Sequence, residues 1–509
     1  MITMSHVIGI DIGSSGIKVA SMNEEGVWGH LEYQPYSLLF PSDGWVEVDV
    51  NEVWRITELL LEKVRKEIEK TGVVDAISLS TFCNSSVFMD KEGNALYPGI
   101  MYLDQRSKKE ANEIKQLVGE EQLSKVTGNR LEPGMYSVTT HLWFKKNEPE
   151  LYEKTYKCGT LSTFILHKLT GNFALDWTHA SFSGLYDIQK YEWCMDICEK
   201  IKLDVLKLPT VYDPSTVVGN FSHPEVSNKR IPVIAGAADT ACSALALNIQ
   251  VNEMFESVGT SDVLTVCIDN PAVLDQRFLN RCHILKGKWL SHGAMSFPGA
   301  SIQWFYEQFL KTEGHSKQVL ETLIDESRIG ANGIYFLPYM QGERSPIWDS
   351  NARGSFVGIH LNSSKADMYR SILEGCSFSL RQINEIIEAE QHIFAPSFQS
   401  IGGGSKNRAW AQMKANILNK SIEIKSIPET AVLGACLIAG KAAGYFTTYE
   451  EASEKIVNET IEWFYPQEEE VEIYNELYNV YCALYPALKS FFSLSNELNQ
   501  NLKRKKIKC

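Results

Sequence analysis

The hydrophobic pattern of the first twenty residues predicts a strand, a tight turn and a second strand. An apolar run rich in β-branched residues covers residues 7–12, and apolar residues return at Ile17, Val19 and Ala20. Between the two runs lies the turn-forming stretch Gly13-Ser14-Ser15-Gly16. β-Branched runs on either side of a Gly/Ser cluster are typical of a hairpin. A second turn at residues 23–26 indicates that a third strand follows.

The segment 51–70 has the periodicity of an amphipathic helix. Its apolar residues recur at steps of three and four, namely Val53, Ile56, Leu60, Val64 and Ile68. This spacing places them on one helix face, and Gly72 is a stop signal. Further strands are predicted at 76–80 and 87–89. Strands and helices in succession predict the α/β fold class.

The second half of the chain repeats a feature of the first half. The stretch 11–17, Asp-Ile-Gly-Ser-Ser-Gly-Ile, is similar to the stretch 257–263, Ser-Val-Gly-Thr-Ser-Asp-Val. Both read as strand, Gly-containing turn, strand, which suggests a duplicated domain whose second copy opens near residue 246. The alternative is that two short turns agree by chance. We predict domains at 1–245 and 246–500, followed by a basic tail at 501–509.

Composition narrows the class of protein. The 509 residues carry a net charge of −14, with 44% hydrophobic and 22% charged residues. These values fit a folded chain and argue against a nucleic-acid binder, which needs a concentrated basic face. No apolar run approaches the length of a membrane span, and the N-terminus does not resemble a signal peptide. The eleven scattered cysteines do not form a disulfide framework, so we expect a cytoplasmic protein.

Several Gly/Ser/Thr turns at predicted strand ends are candidates for phosphate binding. Such turns expose consecutive backbone N–H groups, which form a concavity for phosphate oxygens. Asp11, just before the first turn, could hold Mg²⁺ through water, and Lys18 could reach a phosphate. The alternative for any one turn is an ordinary hairpin. The stretch 434–442 is not a P-loop, because the glycine spacing is wrong and Ala442 stands where a hydroxyl is needed.

Two further constellations could carry chemistry. The apolar run from residue 233 ends in small residues, and Asp239 then opens a predicted helix; this carboxylate is either a helix cap or a general base toward a hydroxyl. The triplet Gly402-Gly403-Gly404 ends another apolar run, and a helix is predicted to start around Asn407. The triplet either exposes backbone to a nucleobase or phosphate, or permits a tight crossing of chain segments.

Together these features resemble the FGGY carbohydrate kinases. The similarity spans nearly the whole chain and is most specific in the stretches 354–359, Gly-Ser-Phe-Val-Gly-Ile, and 367–374, Asp-Met-Tyr-Arg-Ser-Ile-Leu-Glu. The resemblance implies two duplicated actin-like (ribonuclease H-like) α/β domains with ATP in an interdomain cleft. It also implies a small sugar or polyol as the second substrate and a possible homodimer, while composition argues against a nucleic-acid or membrane partner.

The resemblance also implies roles for single residues. Asp239 would be the catalytic base, and Asp11 would lie near Mg²⁺. The ATP-binding residues would be Gly13, Ser14, Ser15, Lys18, Gly259, Thr260, Gly299, Gln303, Gly403 and Asn407. The sugar-binding residues would be Asn84, Asp104, Asp239 and Thr240.

The residues that select the sugar depart from the family pattern. Xylulokinases usually carry Gln-Met-His-Gly where this chain has Phe82-Cys83-Asn84-Ser85, and the Arg-Glu pair of glycerol kinases is missing. Thr140 stands where the N-terminal family signature has Lys. We expect an ATP-dependent kinase with a pentulose such as xylulose as the first candidate substrate. Gluconate, another polyol or glycerol are alternatives, and a non-catalytic actin-like ATP-binding module is the alternative from a different class.

Overall fold

The structure, a computed structural model, describes residues 4–221, 230–427, 429–456 and 460–506. The strands are β1 (Met4–Gly13), β2 (Gly16–Asn23), β3 (Trp28–Pro35), β4 (Glu47–Val48), β5 (Gly72–Thr81), β6 (Val87–Met89), β7 (Gly99–Ile100), β8 (Lys157–Gly159), β9 (Ala174–Asp176), β10 (Tyr186–Asp187), β11 (Glu192–Trp193), β12 (Thr210–Tyr212), β13 (Val217–Phe221), β14 (Ile231–Ala238), β15 (Met254–Val258), β16 (Asp262–Ile268), β17 (Leu279–Cys282), β18 (Trp289–Met295), β19 (Tyr335–Leu337), β20 (Ser355–Val357), β21 (Ser397–Ile401), β22 (Ser421–Lys425) and β23 (Thr460–Phe464). The helices are α1 (Val50–Glu69), α2 (Lys108–Val118), α3 (Glu120–Thr127), α4 (Ser137–Asn147), α5 (Pro149–Lys154), α6 (Leu161–Thr170), α7 (Trp177–Ala180), α8 (Met195–Lys200), α9 (Asp239–Ala246), α10 (Pro298–Phe305), α11 (Val319–Leu323), α12 (Lys365–Glu390), α13 (Arg408–Leu418), α14 (Thr430–Ala442), α15 (Tyr449–Lys455) and α16 (Glu468–Lys506).

The first sheet is built around the predicted hairpin. Its order is β13-β14-β5-β1-β2-β3, with β1 parallel to β5 and antiparallel to β2. Helix α1 is confirmed within one residue at each end, and Asp49 caps it by accepting hydrogen bonds from the backbone N–H groups of Asn51 and Glu52. The apolar residues predicted for its buried face are all buried against this sheet.

The second sheet repeats the arrangement of the first. Its order is β17-β18-β16-β15-β21-β22-β23, again with a central antiparallel hairpin, here β15-β16, beside the parallel strands β21 and β22. The outermost strand on the parallel side is antiparallel in both sheets. The α/β prediction is confirmed, and the common strand order agrees with a duplication.

Helix α14 belongs to the second half of the chain but packs on the first sheet. A Cβ added at Gly9 of β1 would lie 2.6 Å from the carbonyl oxygen of Val432, and one added at Gly434 would lie 2.2 Å from the carbonyl oxygen of Cys242 in α9. Only glycine permits backbones to approach this closely. Gly434, the first residue of the stretch rejected as a P-loop, therefore permits the close crossing of α14 and α9.

The two halves consequently share a core. Leu433, Cys436 and Leu437 of α14 lie in the same apolar cluster as Val7 and Ala76 of the first sheet. The proposed division between residues 245 and 246 falls at the end of α9.

The last helix, α16, extends to Lys506. Residues 501–506 of the predicted tail therefore continue this helix, and residues 507–509 lie outside the described part of the chain. Among helices in the described ranges, none has the length and apolar character needed to cross a membrane.

Candidate active site

Two carboxylates meet where the central strands of the first sheet end. Asp11 lies opposite Ser80 in the β1-β5 pair, and Asp239 follows β14 directly. The Ser80 hydroxyl donates a hydrogen bond of 2.8 Å to Asp11 Oδ1. Burial raises the pKa of Asp11 to about 7, and the negative charge of Asp239 acts in the same direction. Neighbouring parallel strands end at one sheet edge, which explains why residues 228 positions apart (239 minus 11) lie together.

Asp239 is a first-turn residue of α9 and not its cap. Ala238 occupies the N-cap position, and no side-chain capping bond is formed. The backbone N–H and the hydroxyl of Thr240 both donate to Asp239 Oδ1, at 2.7 and 3.2 Å. The capping interpretation is therefore wrong, and the partly exposed carboxylate is available to a ligand.

A buried hydrogen-bond chain fixes the backbone just before Asp239. The N–H of Ala238 donates to the Thr178 hydroxyl at 2.8 Å, and that hydroxyl donates to Asp176 at 2.5 Å. Asp176 also bonds His179, whose Nε2 lies 2.7 Å from the Thr81 hydroxyl. Because these groups are buried, they position Asp239 without being accessible to a substrate themselves.

The first predicted phosphate turn is partly exposed. Gly13 and Ser14 are partly buried and Ser15 is exposed at the tip of the β1-β2 hairpin. Burial raises the pKa of Tyr102, and its hydrogen bond with Ser14 opposes that shift. Lys18, predicted to reach a phosphate, instead forms a 2.6 Å ion pair with Glu429 just before α14. Its charge is thus already partly neutralised.

The second predicted turn packs against the helix that carries Gly299 and Gln303. Gly259 and Thr260 are exposed between β15 and β16, and the carbonyl oxygen of Thr260 accepts a hydrogen bond from Ala300 at 3.1 Å. A Cβ at Gly299 would lie 1.9 Å from the carbonyl oxygen of Gly259, so glycine is required there. The side chain of Gln303 bonds Glu307 and Lys317 on the surface.

The glycine triplet permits a tight crossing of chain segments and leaves one backbone position open. Added Cβ atoms at Gly402 and Gly404 would lie 2.5 and 2.3 Å from atoms of Val258, so these two glycines permit a tight crossing. An added Cβ at Gly403 would meet nothing within 4 Å, which leaves its exposed backbone open to a ligand. Asn407 caps α13 by accepting a 3.0 Å hydrogen bond from the N–H of Trp410.

The predicted sugar-binding residues differ in how freely they could contact a ligand. Asn84 has a left-handed backbone (φ 59°), and its side-chain amide donates to the carbonyl oxygen of Met135. Asp104 is 1% exposed, and its two oxygens accept from the backbone of Val46 and from both the backbone and side chain of Arg106. Four bonds use the usual acceptor capacity of a carboxylate. In this structure the carboxylate holds the loop around Arg106, and its contact with a sugar stays a prediction.

The fold brings further charged residues to this region that sequence reasoning missed. Nη1 of Arg281, on β17, lies 3.1 Å from Sγ of Cys83 in the departing segment 82–85. Arg344 lies close enough to Tyr102 to influence its pKa. Both arginines come from the second half of the chain, and no local sequence pattern connects them with residues so distant along the chain.

Comparison with known proteins gives consistent family matches. The model for the N-terminal domain of the FGGY family of carbohydrate kinases matches residues 6–246, and the model for its C-terminal domain matches residues 254–443. A xylulose kinase of Lactococcus lactis is 30% identical over 507 residues, covering 97% of this chain and 99% of the relative. A gluconokinase of Bacillus licheniformis is 25% identical and covers 99% of this chain and 100% of its own. The solved xylulose kinase of Lactobacillus acidophilus superposes with a TM-score of 0.88 at 23% identity, over 96% of this chain and 99% of that one, and shows the shared fold.

Proposed function

This chain belongs to the FGGY family of carbohydrate kinases and is an ATP-dependent carbohydrate kinase, and from that premise we propose that Asp239 is the general base that deprotonates the accepting sugar hydroxyl. The observation that carries the proposal is the placement of Asp239 beside Asp11, at the end of the strands that also present the first Gly/Ser turn. Family membership also sets aside the alternative of a non-catalytic ATP-binding module.

The residues around Asp11 fit a magnesium ion that arrives with ATP. Burial is the main cause that raises the pKa of Asp11; the negative charges of Asp239 and Glu429 raise it further, and the positive charge of Lys18 only partly offsets these two charges. Within the described ranges, no group of three or more His, Cys, Asp or Glu side chains is arranged to hold a metal ion by itself. Mg²⁺ bound to a nucleotide characteristically uses one or two carboxylates, with water and phosphate oxygens as its other ligands. When bound, the ion would neutralise phosphate charge, with Asp11 holding it directly or through water.

The chain's own groups would then position the two reactants. In our proposal, the backbone N–H groups of the turns at residues 13–15 and 259–260 cradle the phosphates, and Gly403 and Asn407 contact the adenosine. Arg344 lies near Tyr102, which bonds Ser14 of the first turn. It therefore adds positive charge near the transferring group. Phosphoryl transfer depends mainly on such positioning and charge neutralisation. Asp239 needs only to accept the proton of the attacking hydroxyl, while the domains exclude competing water.

A pentulose such as xylulose is the first candidate substrate. The L. lactis relative that bears the name xylulose kinase supports this choice at 30% identity. This support is reduced because segment 82–85 differs from the sequence that xylulokinases usually carry there. A sugar acid such as gluconate is the second candidate, and the gluconokinase of Bacillus licheniformis, at 25% identity, supports it.

A coupled ADP-release assay over pentuloses, hexonates, polyols and glycerol tests the proposal. We expect at least one class to raise ADP production about 100-fold or more above the ATPase background. A panel in which no sugar raises ADP production would overturn the proposed reaction.

A further inference from the structure

Arg281 is a buried cation at the boundary between the two halves of the chain. It is 6% exposed and lies on the edge strand β17 of the second sheet. Neighbouring residues of β17 bond to the first half: the N–H of Cys282 donates to Ser181 at 3.1 Å, and the N–H of Asn280 donates to Asn129 at 2.7 Å. The position of the Arg281 backbone is therefore fixed against the first domain.

The immediate contacts of Arg281 provide no negative charge. Burial raises the pKa of Cys83 to about 12, so the thiol that Arg281 contacts remains neutral. The guanidinium also lies 4.7 Å from the centre of the Phe182 ring. Burial, followed by the charge of Arg281, lowers the pKa of His292, so that neighbour is neutral as well. No carboxylate of the described residues forms an ion pair with Arg281, and its Nε has no hydrogen-bond partner.

This arrangement contrasts with that of two comparable buried cations. Lys414 contacts both oxygens of Glu256 at 2.7 and 2.6 Å. Arg106 bonds Asp104 and Glu47, each at 2.8 Å. A buried charge is unfavourable unless it is paired and hydrogen-bonded. Unlike Lys414 and Arg106, Arg281 therefore has no carboxylate partner among the described residues.

The guanidinium of Arg281 contacts a side chain that lies near the proposed base Asp239. Besides burial, which is the largest cause, the charges of Arg281 and Asp239 both influence the pKa of the Cys83 thiol. The cation and the proposed base therefore both lie near Cys83. Cys83 belongs to the segment that departs from the relatives' sugar pocket. An acceptor whose hydroxyl meets Asp239 can therefore present another group to Arg281.

Resting on the proposed kinase function, we propose that Arg281 binds the carboxylate of a sugar acid, which places an open-chain polyhydroxy acid ahead of the neutral pentulose that the names of the relatives favour. A carboxylate matches the planar guanidinium, which can bind both of its oxygens. One unpaired cation balances one negative charge, so a monoanionic carboxylate suits this position better than a dianionic phosphate ester.

The test compares two pairs of acceptors, and the two members of each pair differ in the charged group. Steady-state kinetics would be measured with gluconate, with glucitol (the same carbon chain without the carboxylate), with xylulose and with xylulose 5-phosphate. For the wild-type enzyme we expect kcat/KM for gluconate to exceed that for glucitol by about 100-fold or more. Other aldonates differing in chain length or configuration would be included as acid acceptors.

Variants identify Arg281 as the cause of the preference. Arg281→Met should lower kcat/KM for the acid by about 50-fold or more, mainly through KM, and Arg281→Lys should restore part of it. Arg277→Met, which removes a partly exposed arginine paired with Asp275 and Glu390, should leave the acid preference unchanged. Independently of turnover, gluconate without ATP should raise the thermal unfolding midpoint of the wild type but not of Arg281→Met.

Each contrary outcome is distinguishable. A wild-type preference for xylulose, or equal loss in the Arg281→Met and Arg277→Met variants, would overturn the carboxylate role and leave the kinase function standing. A preference for xylulose 5-phosphate would show that the anion is a phosphate. Failure of every acceptor would overturn both proposals. If Arg281→Met does not fold, the Arg281→Lys variant and the wild-type comparison of gluconate with glucitol still decide the question.

Discussion

At the scale of single residues, the carboxylates of Asp104 and Asp239 have different hydrogen-bond partners and different exposure. The oxygens of Asp104 accept hydrogen bonds from Arg106 and from the backbone of Val46, whereas Asp239 is partly exposed and, among the described residues, accepts from its neighbour Thr240. Both were predicted as sugar-binding residues. Sequence reasoning cannot separate them, because the partners that occupy Asp104 become apparent only once the loop around Arg106 is folded.

Replacement of Asp239 tests its role as base. We expect Asp239→Asn to lower kcat by about 100-fold or more, because the amide cannot accept the proton in the transition state. ATP affinity, measured by calorimetry, should stay within a few-fold of the wild type. Asp43→Asn, at an exposed position, is the matched control. Near-normal turnover of Asp239→Asn would remove this residue from the base role.

Glu343 predicts a pH dependence of stability. Burial raises its pKa from 4.5 to about 7, and hydrogen bonds from Ser296 and Arg344 only partly oppose the shift. Between these two pKa values the folded chain holds a proton that the unfolded chain has lost, so stability decreases as pH rises through this window. The full window corresponds to about 3 kcal/mol.

Glu343→Gln removes this cost of ionisation. The thermal unfolding midpoint of the variant should rise relative to that of the wild type as the pH increases from 4.5 to about 7. Glu150→Gln, on an exposed face of α5, should show no such trend. A difference that is constant across the range would contradict the shifted pKa of Glu343.

At the scale of elements, the hairpin turns and the helix α1 followed from local pattern, but their contacts did not. The sequence predicted the turn at Gly259 and implied a nucleotide role for Gly299. It could not predict that the two would touch, because the requirement for glycine at residue 299 arises from the carbonyl oxygen of Gly259 in a separate segment.

That contact gives an element-scale prediction. A Cβ at residue 299 would displace the turn, since the atom it meets at 1.9 Å is backbone. We expect Gly299→Ala to raise the KM for ATP by about 10-fold or more while the KM for the sugar changes little. The thermal unfolding midpoint of the variant serves as the folding control. An unchanged KM for ATP would argue against a nucleotide site formed by α10 and this turn.

At the scale of the whole molecule, the duplication was predictable and the shared core was not. The echo of stretch 11–17 in stretch 257–263 arises from a common strand order in the two sheets. By contrast, α14 lies far along the chain from the strands it covers, and its apolar composition does not indicate which sheet it packs on. The contact between Arg281 and Cys83, 198 residues apart, was beyond prediction for the same reason.

The crossing of α9 and α14 should be sensitive to a single methyl group. A Cβ at residue 434 would lie 2.2 Å from the carbonyl oxygen of Cys242, so the helices must separate. We expect Gly434→Ala to reduce the free energy of unfolding by about 1–3 kcal/mol. A lower thermal unfolding midpoint in the nucleotide-free protein would verify this, and an unchanged midpoint would contradict the close crossing.

The position of α14 also has a consequence for biosynthesis. A ribosome completes the strands of the first sheet by residue 238 but does not supply α14 until residues 430–442. Until then, the first sheet lacks the cover that Leu433 and Leu437 provide in the folded protein. The nascent first half lacks this cover through the translation of nearly two hundred further residues (430 minus 238), a stage at which exposed apolar surface promotes aggregation.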